Sequence, residues 1–155
     1  MKSLKKGLLI VLSLLLMVTL LTGCEKYKKE DLLKALDATE DDFSYIKMSE
    51  TEADVVIIGV YVEDVQSVIT RMTLSGMLSS TDGTDRSRTS LENRYAEIQQ
   101  LARDKSVELQ KKMDETYKGV LTVETTICND KGKVVIRARN GKIVYDYAEG
   151  TGTES

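Results

Sequence analysis

Histidine is absent from this chain, which removes His-based catalytic triads and His metal sites at a stroke. Proline is absent too, and no internal repeat is present. The two cysteines, Cys24 and Cys128, stand too far apart for zinc-ligand spacing. Glycines near residue 83 and across residues 132–141 sit where turns are expected, and none opens a phosphate-cradling loop. The segment from Asp82 to Glu92 lacks the ligand order and central glycine of an EF-hand. Ser and Lys are common, but no pair of them has a nucleophile motif around it. These absences argue against an enzyme and call for neither a cofactor nor a metal.

What is present begins with an address. Lys2, Lys5 and Lys6 form a basic head, and residues 7–21 are apolar but for Gly7, Ser13 and Thr19. That run rises roughly 22 Å as a helix, short of the ~30 Å hydrocarbon core, and suits a signal-peptide core better than a permanent span. It ends on Leu21-Thr22-Gly23-Cys24, which resembles the bacterial lipobox, Leu-(Ala/Ser/Thr)-(Gly/Ala)-Cys. The resemblance covers the first 24 residues. It implies a diacylglyceryl group on the Cys24 thiol and cleavage on its N-terminal side. N-acylation, palmitate for example, would add a further chain. Residues 1–23 are then a lipoprotein signal peptide, and the membrane is held through covalent lipid on Cys24. Each buried methylene contributes about 0.8 kcal/mol, so two or three acyl chains anchor firmly where one holds marginally. A plain signal peptide or uncleaved anchor is the competing reading. Glu25 stands where an Asp would favour inner-membrane retention in a Gram-negative host, so there the outer membrane is expected. Composition does not set the Gram type.

Residues 24–155 then make a mature chain of 132 residues, long enough for one domain with its own core. Without the three leader lysines it has 19 basic and 25 acidic residues, a net charge of −6. An acidic domain offers no basic face for nucleic acid. The cluster Lys26, Lys28, Lys29 beside the anchor is solvated, or touches anionic headgroups at about 1 kcal/mol per charge. With Cys24 lipidated, Cys128 has no partner for an internal disulfide; it reads as a small buried residue, or else as a reactive thiol or one end of an intermolecular bridge.

The expected fold is α+β, with a mainly antiparallel sheet packed against a long helix and shorter helices. Residues 24–29 read as a short tether, residues 30–148 as one globular domain and residues 149–155 as a flexible tail. Leu32, Leu33 and Leu36 have helical spacing; residues 37–54 suit either a strand or a continued helix. The β-branched run over residues 55–62 reads as an inner strand. Val65, Val68, Ile69, Met72 and Gly76 form a helical stripe, and residues 79–87 read as a loop. A long helix is expected over residues 90–118, opened by a capping box from Thr89 to Glu92 and stopped by Gly119. Its stripe is Leu91, Tyr95, Ile98, Ala102, Leu109, Met113 and Tyr117, interrupted by Lys105. A three-stranded meander follows over residues 120–147. Closing its turns at residues 129–132 and at Asn140-Gly141 pairs Ile127 with Val134, Thr125 with Ile136, Arg139 with Lys142, Ala138 with Ile143, and Ile136 with Tyr145. That register puts Leu121, Val123, Ile127, Val134, Ile136, Ile143, Tyr145 and Tyr147 on one apolar face, with Glu124, Arg137 and Asp146 on the other.

The acid clusters Glu40, Asp41, Asp42 and Glu50, Glu52, Asp54 suit weak cation binding or, more plainly, solvated loops. Tyr27, Tyr45, Tyr61, Tyr95, Tyr117, Tyr145 and Tyr147 suit a recognition surface, though most of those at stripe positions read more simply as core residues with a hydroxyl reaching water. The candidate partner-binding loop is residues 79–87 with Arg88, on Asp82, Asp85, Arg86 and Arg88; a plain connector is the competing reading. The layout is similar to small α+β lipoproteins of anaerobic Gram-positive bacteria. That resemblance assigns no function; from the anchor and the missing catalytic motifs, the function expected is a monomeric, non-enzymatic binding module of the cell envelope, recognising an envelope protein or small ligand. An immunity or phage-exclusion lipoprotein is the alternative, and an envelope enzyme comes third.

Overall fold

The computed structural model describes residues 27–78, 85–148 and 150, with backbone alone for residues 75–78 and 85–88. Cys24 and the signal-peptide expectation lie outside the described residues, as does Asp82; of the expected tail only Gly150 lies within them. Chain order is α1 (Lys29–Ala35), a 3-10 turn (Glu40–Asp42), β1 (Tyr45–Met48), β2 (Val55–Tyr61), α2 (Val65–Leu78), α3 (Asp85–Tyr117), β3 (Thr122–Cys128), β4 (Val134–Arg139) and β5 (Lys142–Asp146). The class is α+β. Among the described residues no helix is long and apolar enough to cross a membrane.

The strands form one sheet in the order β1-β2-β3-β4-β5. Hairpin-connected neighbours run antiparallel, whereas β2 and β3 run parallel. A parallel pair needs a long crossover, and α2 with α3 supplies it. The run Val55 to Tyr61 is thereby paired on both edges, as its apolar composition demands.

Alternation then sorts the two faces. Ile46, Val56, Ile58, Val123, Ile127, Ile136 and Ala138 point one way and meet the helices. The long helix serves both halves of this core. Tyr95, Ile98 and Ala102 pack with α2 over β3 and β4, while Leu109 and Met113 pack with Leu32 and Leu33 of α1 and with Leu36 just after it, over β1, β2 and β3. Between the halves the stripe passes through Ser106, fully buried, whose Oγ accepts from the backbone N–H of Gly141 at 2.8 Å. The helix thus holds the β4–β5 turn by a polar contact where its apolar stripe is broken. One turn further on, the Gln110 amide donates to the Leu121 carbonyl and accepts from the Val123 N–H, which fixes the start of β3.

Three expectations need correction. The long helix begins at Asp85, so Thr89 and Glu92 lie inside it, and residues 85–87 are helix and not loop. The β3–β4 register pairs Ile127 with Ile136 and Thr125 with Ala138. Asn129 sets it: its side-chain oxygen accepts from the N–H groups of Lys131 and Lys133, and its own N–H bonds the Lys133 carbonyl, widening the turn. A bulge at Val135 follows. In the last hairpin Arg139 pairs Lys142 and Ala138 pairs Ile143, as expected, but a second bulge at Val144 then pairs Arg137 with Tyr145 and Ile136 with Asp146. One extra residue reverses the faces of everything beyond it. Tyr145 therefore leaves the core face. Asp146 enters it, buried and accepting from the Tyr95 hydroxyl at 2.6 Å and the Gln99 amide at 2.8 Å. Val134 likewise lines the opposite face, and Tyr147 is about half exposed.

Candidate functional site

All three helices pack on one side of the sheet, and among the described residues nothing covers the other. Two rows of side chains cross that open face in register. The first runs Tyr45, Gly59, Thr126, Arg137, Tyr145, one residue from each strand. The second runs Lys47, Ile57, Glu124, Arg139, Lys142.

Gly59 is what lets the first row lie flat. A Cβ there would meet Tyr45 Cε1 at 2.5 Å, so only glycine admits the ring across it. The ring spans to β3, where the Thr126 hydroxyl donates to the Ile58 carbonyl at 3.2 Å and so accepts from the Tyr45 hydroxyl at 2.7 Å. Burial pushes the Tyr45 phenol up to about 12. Cys128 lies beneath, buried, with its Sγ 3.8 Å from the Tyr45 oxygen. At the far end the Arg137 guanidinium lies over the Tyr145 ring, 4.9 Å from its centroid.

The second row holds a carboxylate deep in the sheet. Glu124 is only 2% exposed, and its Oε2 accepts from Arg139 Nε at 2.7 Å, with Arg137 Nη1 3.8 Å from its other oxygen. Arg139 also donates through both terminal nitrogens to Glu52, which swings in from the β1–β2 connection. The Glu52 bonds raise the Arg139 guanidinium above its usual range, and Glu124 adds to this against the opposing effect of burial. In return Arg139 holds the Glu52 carboxyl below the ordinary carboxylate range.

Between the rows lies a hollow of about 330 Å³, floored by Ile57, Glu124 and Thr126 and walled by Tyr45 and Lys47 on one side and Lys133, Val134, Arg137 and Tyr145 on the other. A smaller one of about 140 Å³ adjoins it over Glu52 and Arg139. This arrangement can hold a ligand by apolar contact and charge.

Of the residues singled out in the sequence, Glu124 and Arg137 come together here, while Asp146 lies on the helix side. Asp85, Arg86 and Arg88 fall on the first turns of α3. The acid clusters are spoken for in part: Asp42 accepts from the Thr39 N–H at 2.7 Å, Glu40 pairs with Lys29 at 3.0 Å, and Glu52 holds Arg139. Lys47 and Lys133 were not foreseen as site residues, and Tyr45 and Tyr145 were named only among the tyrosines that could build a recognition surface. Polar alternation along Thr122, Glu124, Thr126 carried the signal for the open face; the bulge that turns Tyr145 onto it has no such signature. Comparison with protein-family models, curated proteins and solved structures finds no match.

Proposed function

We propose that this chain is a bacterial envelope lipoprotein, anchored by lipid on Cys24 at the extracytoplasmic face, whose domain is a non-enzymatic binding module working through its open sheet face. The lipobox resemblance of Leu21-Thr22-Gly23-Cys24 supports the anchor. The observation that carries the binding role is the uncovered face itself, with a hollow whose floor and walls come from all but the helical elements. A sheet face with no function tends to be uniformly polar, whereas this one presents Ile57, Tyr45, Val134 and Tyr145 beside charged groups. A short tether would keep the domain near the membrane. The absence of histidine and of any nucleophile motif supports binding over catalysis.

Two variants test the halves of this reading separately. Cys24→Ala should lose lipid labelling and release the protein from the membrane fraction; continued processing at the same bond with membrane retention would overturn the anchor. Ile57→Arg puts a charge on the floor of the hollow without touching the helix-facing core. It should abolish capture of the native ligand or partner from intact membranes. Joint replacement of Asp82, Asp85, Arg86 and Arg88 by Ser should leave capture intact. The reverse pattern would move recognition to residues 79–88.

A further inference from the structure

The short tether fixes more than a distance. Three peptide units separate Cys24 from Tyr27, where the described chain begins. A fully extended chain covers at most about 3.6 Å per residue, so Tyr27 stands within roughly 11 Å of the lipidated cysteine. Whatever part of the domain surrounds Tyr27 is therefore the part beside the bilayer.

The fold determines what that part is. The Tyr27 ring meets the ring of Tyr117, the last residue of α3, edge to face with centroids 5.4 Å apart. Directly beyond, the Tyr117 carbonyl accepts from the Val120 N–H at 3.0 Å. That turn leaves the Val120 side chain 54% exposed before Leu121 enters the core. Tyr27, Tyr117 and Val120 thus meet at one end of the molecule from distant parts of the chain. Both rings pack against the α1 half of the core, and each keeps part of its surface in solvent. Rings apolar on one side and wet on the other suit the headgroup level of a bilayer.

Charge at this end gives no reason for anionic lipid. Lys28, Lys29 and Lys118 are exposed, but so are Glu30, Asp31 and Glu115, and Lys29 is paired with Glu40 at 3.0 Å. Asp54, whose carbonyl accepts from the Thr122 N–H at 2.8 Å, adds a further carboxylate. Contact must come from the rings and Val120, against headgroups that carry no net charge. From this end β3 leads the chain away for seven residues. At ~3.3 Å per residue that puts the turn at residues 129–132 about 20 Å farther off.

We propose that the end of the domain formed by Tyr27, Tyr117 and Val120 rests on the bilayer interface, at the level of zwitterionic headgroups, with the turn at residues 129–132 in solvent. The proposal rests on the lipid anchor at Cys24 and is independent of which face binds a ligand.

The chain contains no tryptophan, so one introduced indole reports alone. The full lipidated chain is placed in phosphatidylcholine vesicles whose acyl chains carry bromine near the headgroup, a contact quencher of indole. Val120→Trp should be quenched at least threefold more strongly than Lys131→Trp, an exposed position in the far turn, and its emission should shift to the blue. Both positions are exposed, so both variants should keep the parent's urea midpoint. The same ratio should hold when half of the lipid is phosphatidylglycerol. Equal quenching of the two variants, or quenching of Val120→Trp that requires anionic lipid, would overturn the proposal. Mass spectrometry of the mature chain keeps the two readings apart. A Cys24 without lipid sinks the anchor and the apposition together, whereas a lipidated chain with equal quenching sinks the apposition alone.

Discussion

Replacing Arg139 by Gln should destabilise the domain by about 3 kcal/mol, more than a surface residue normally controls. The reason lies in what it leaves behind. Glu124 is 2% exposed in a central strand, and among the described residues the Arg139 Nε at 2.7 Å is its one short ionic contact. Arg137 Nη1, at 3.8 Å, is too far to take over as a hydrogen-bond donor. Removing one partner of a buried pair typically costs 3–5 kcal/mol, because the other charge is left uncompensated. Arg139 keeps 27% of its side chain in water, which places the expected value at the lower end. In urea, with a slope of roughly 1.5 kcal/mol/M, the midpoint should fall by about 2 M with the slope unchanged. Glu124→Gln combined with Arg139→Gln should recover at least half of the loss, since no charge is then stranded. Glu52→Gln alone breaks only the solvent-exposed arm of the network, and its midpoint should move little. Equilibrium unfolding of residues 26–155 measures all of these. A loss under ~1 kcal/mol for Arg139→Gln, or a double variant less stable than the single, would refute the reasoning.

Gly59→Ala should cost about 1–3 kcal/mol by forcing the Tyr45 ring off the sheet, and Gly59→Ala with Tyr45→Leu should be less than additive in the same unfolding assay. Ser106→Ala should cost about 1–2 kcal/mol, because the Gly141 N–H loses its acceptor at the helix; amide exchange at Gly141 should quicken. Tyrosinate absorbance should show Tyr45 ionising late, at about 12. Its folded-state value is raised, so the stability it contributes is complete below about pH 10 and is lost as pH rises through about 12. Tyr45→Phe should remove the late titration and flatten that alkaline fall.

Much of the architecture could be read from side-chain pattern alone, and the failures have physical causes. The run Val55 to Tyr61 is apolar on both faces because it is paired on both edges, and the Asn140-Gly141 turn fixed the first two pairs of its hairpin as expected. The α3 stripe from Tyr95 to Met113 was visible because tertiary burial and helical period agree there. Its start was misplaced because Thr89 and Glu92 match a capping pattern equally well inside a helix. The bulges at Val135 and Val144 were invisible, since both residues are ordinary strand formers; what places them is fit across strands. The bulge at Val144 exchanged Tyr145 and Asp146 between faces and hid the candidate site. Ser106 was overlooked for a related reason. A small polar residue in an apolar stripe looks like an interruption until the turn that needs its oxygen is in place.

Site-specific photo-crosslinking in intact cells addresses the central claim most directly. A photoreactive side chain at Lys47, on the rim of the hollow, is compared with one at Leu101, half-exposed on α3. Irradiation should give a single defined adduct, small molecule or protein, from position 47 and none from position 101, with both variants in the membrane fraction. An adduct from position 101 alone would contradict an account in which the open sheet face does the binding.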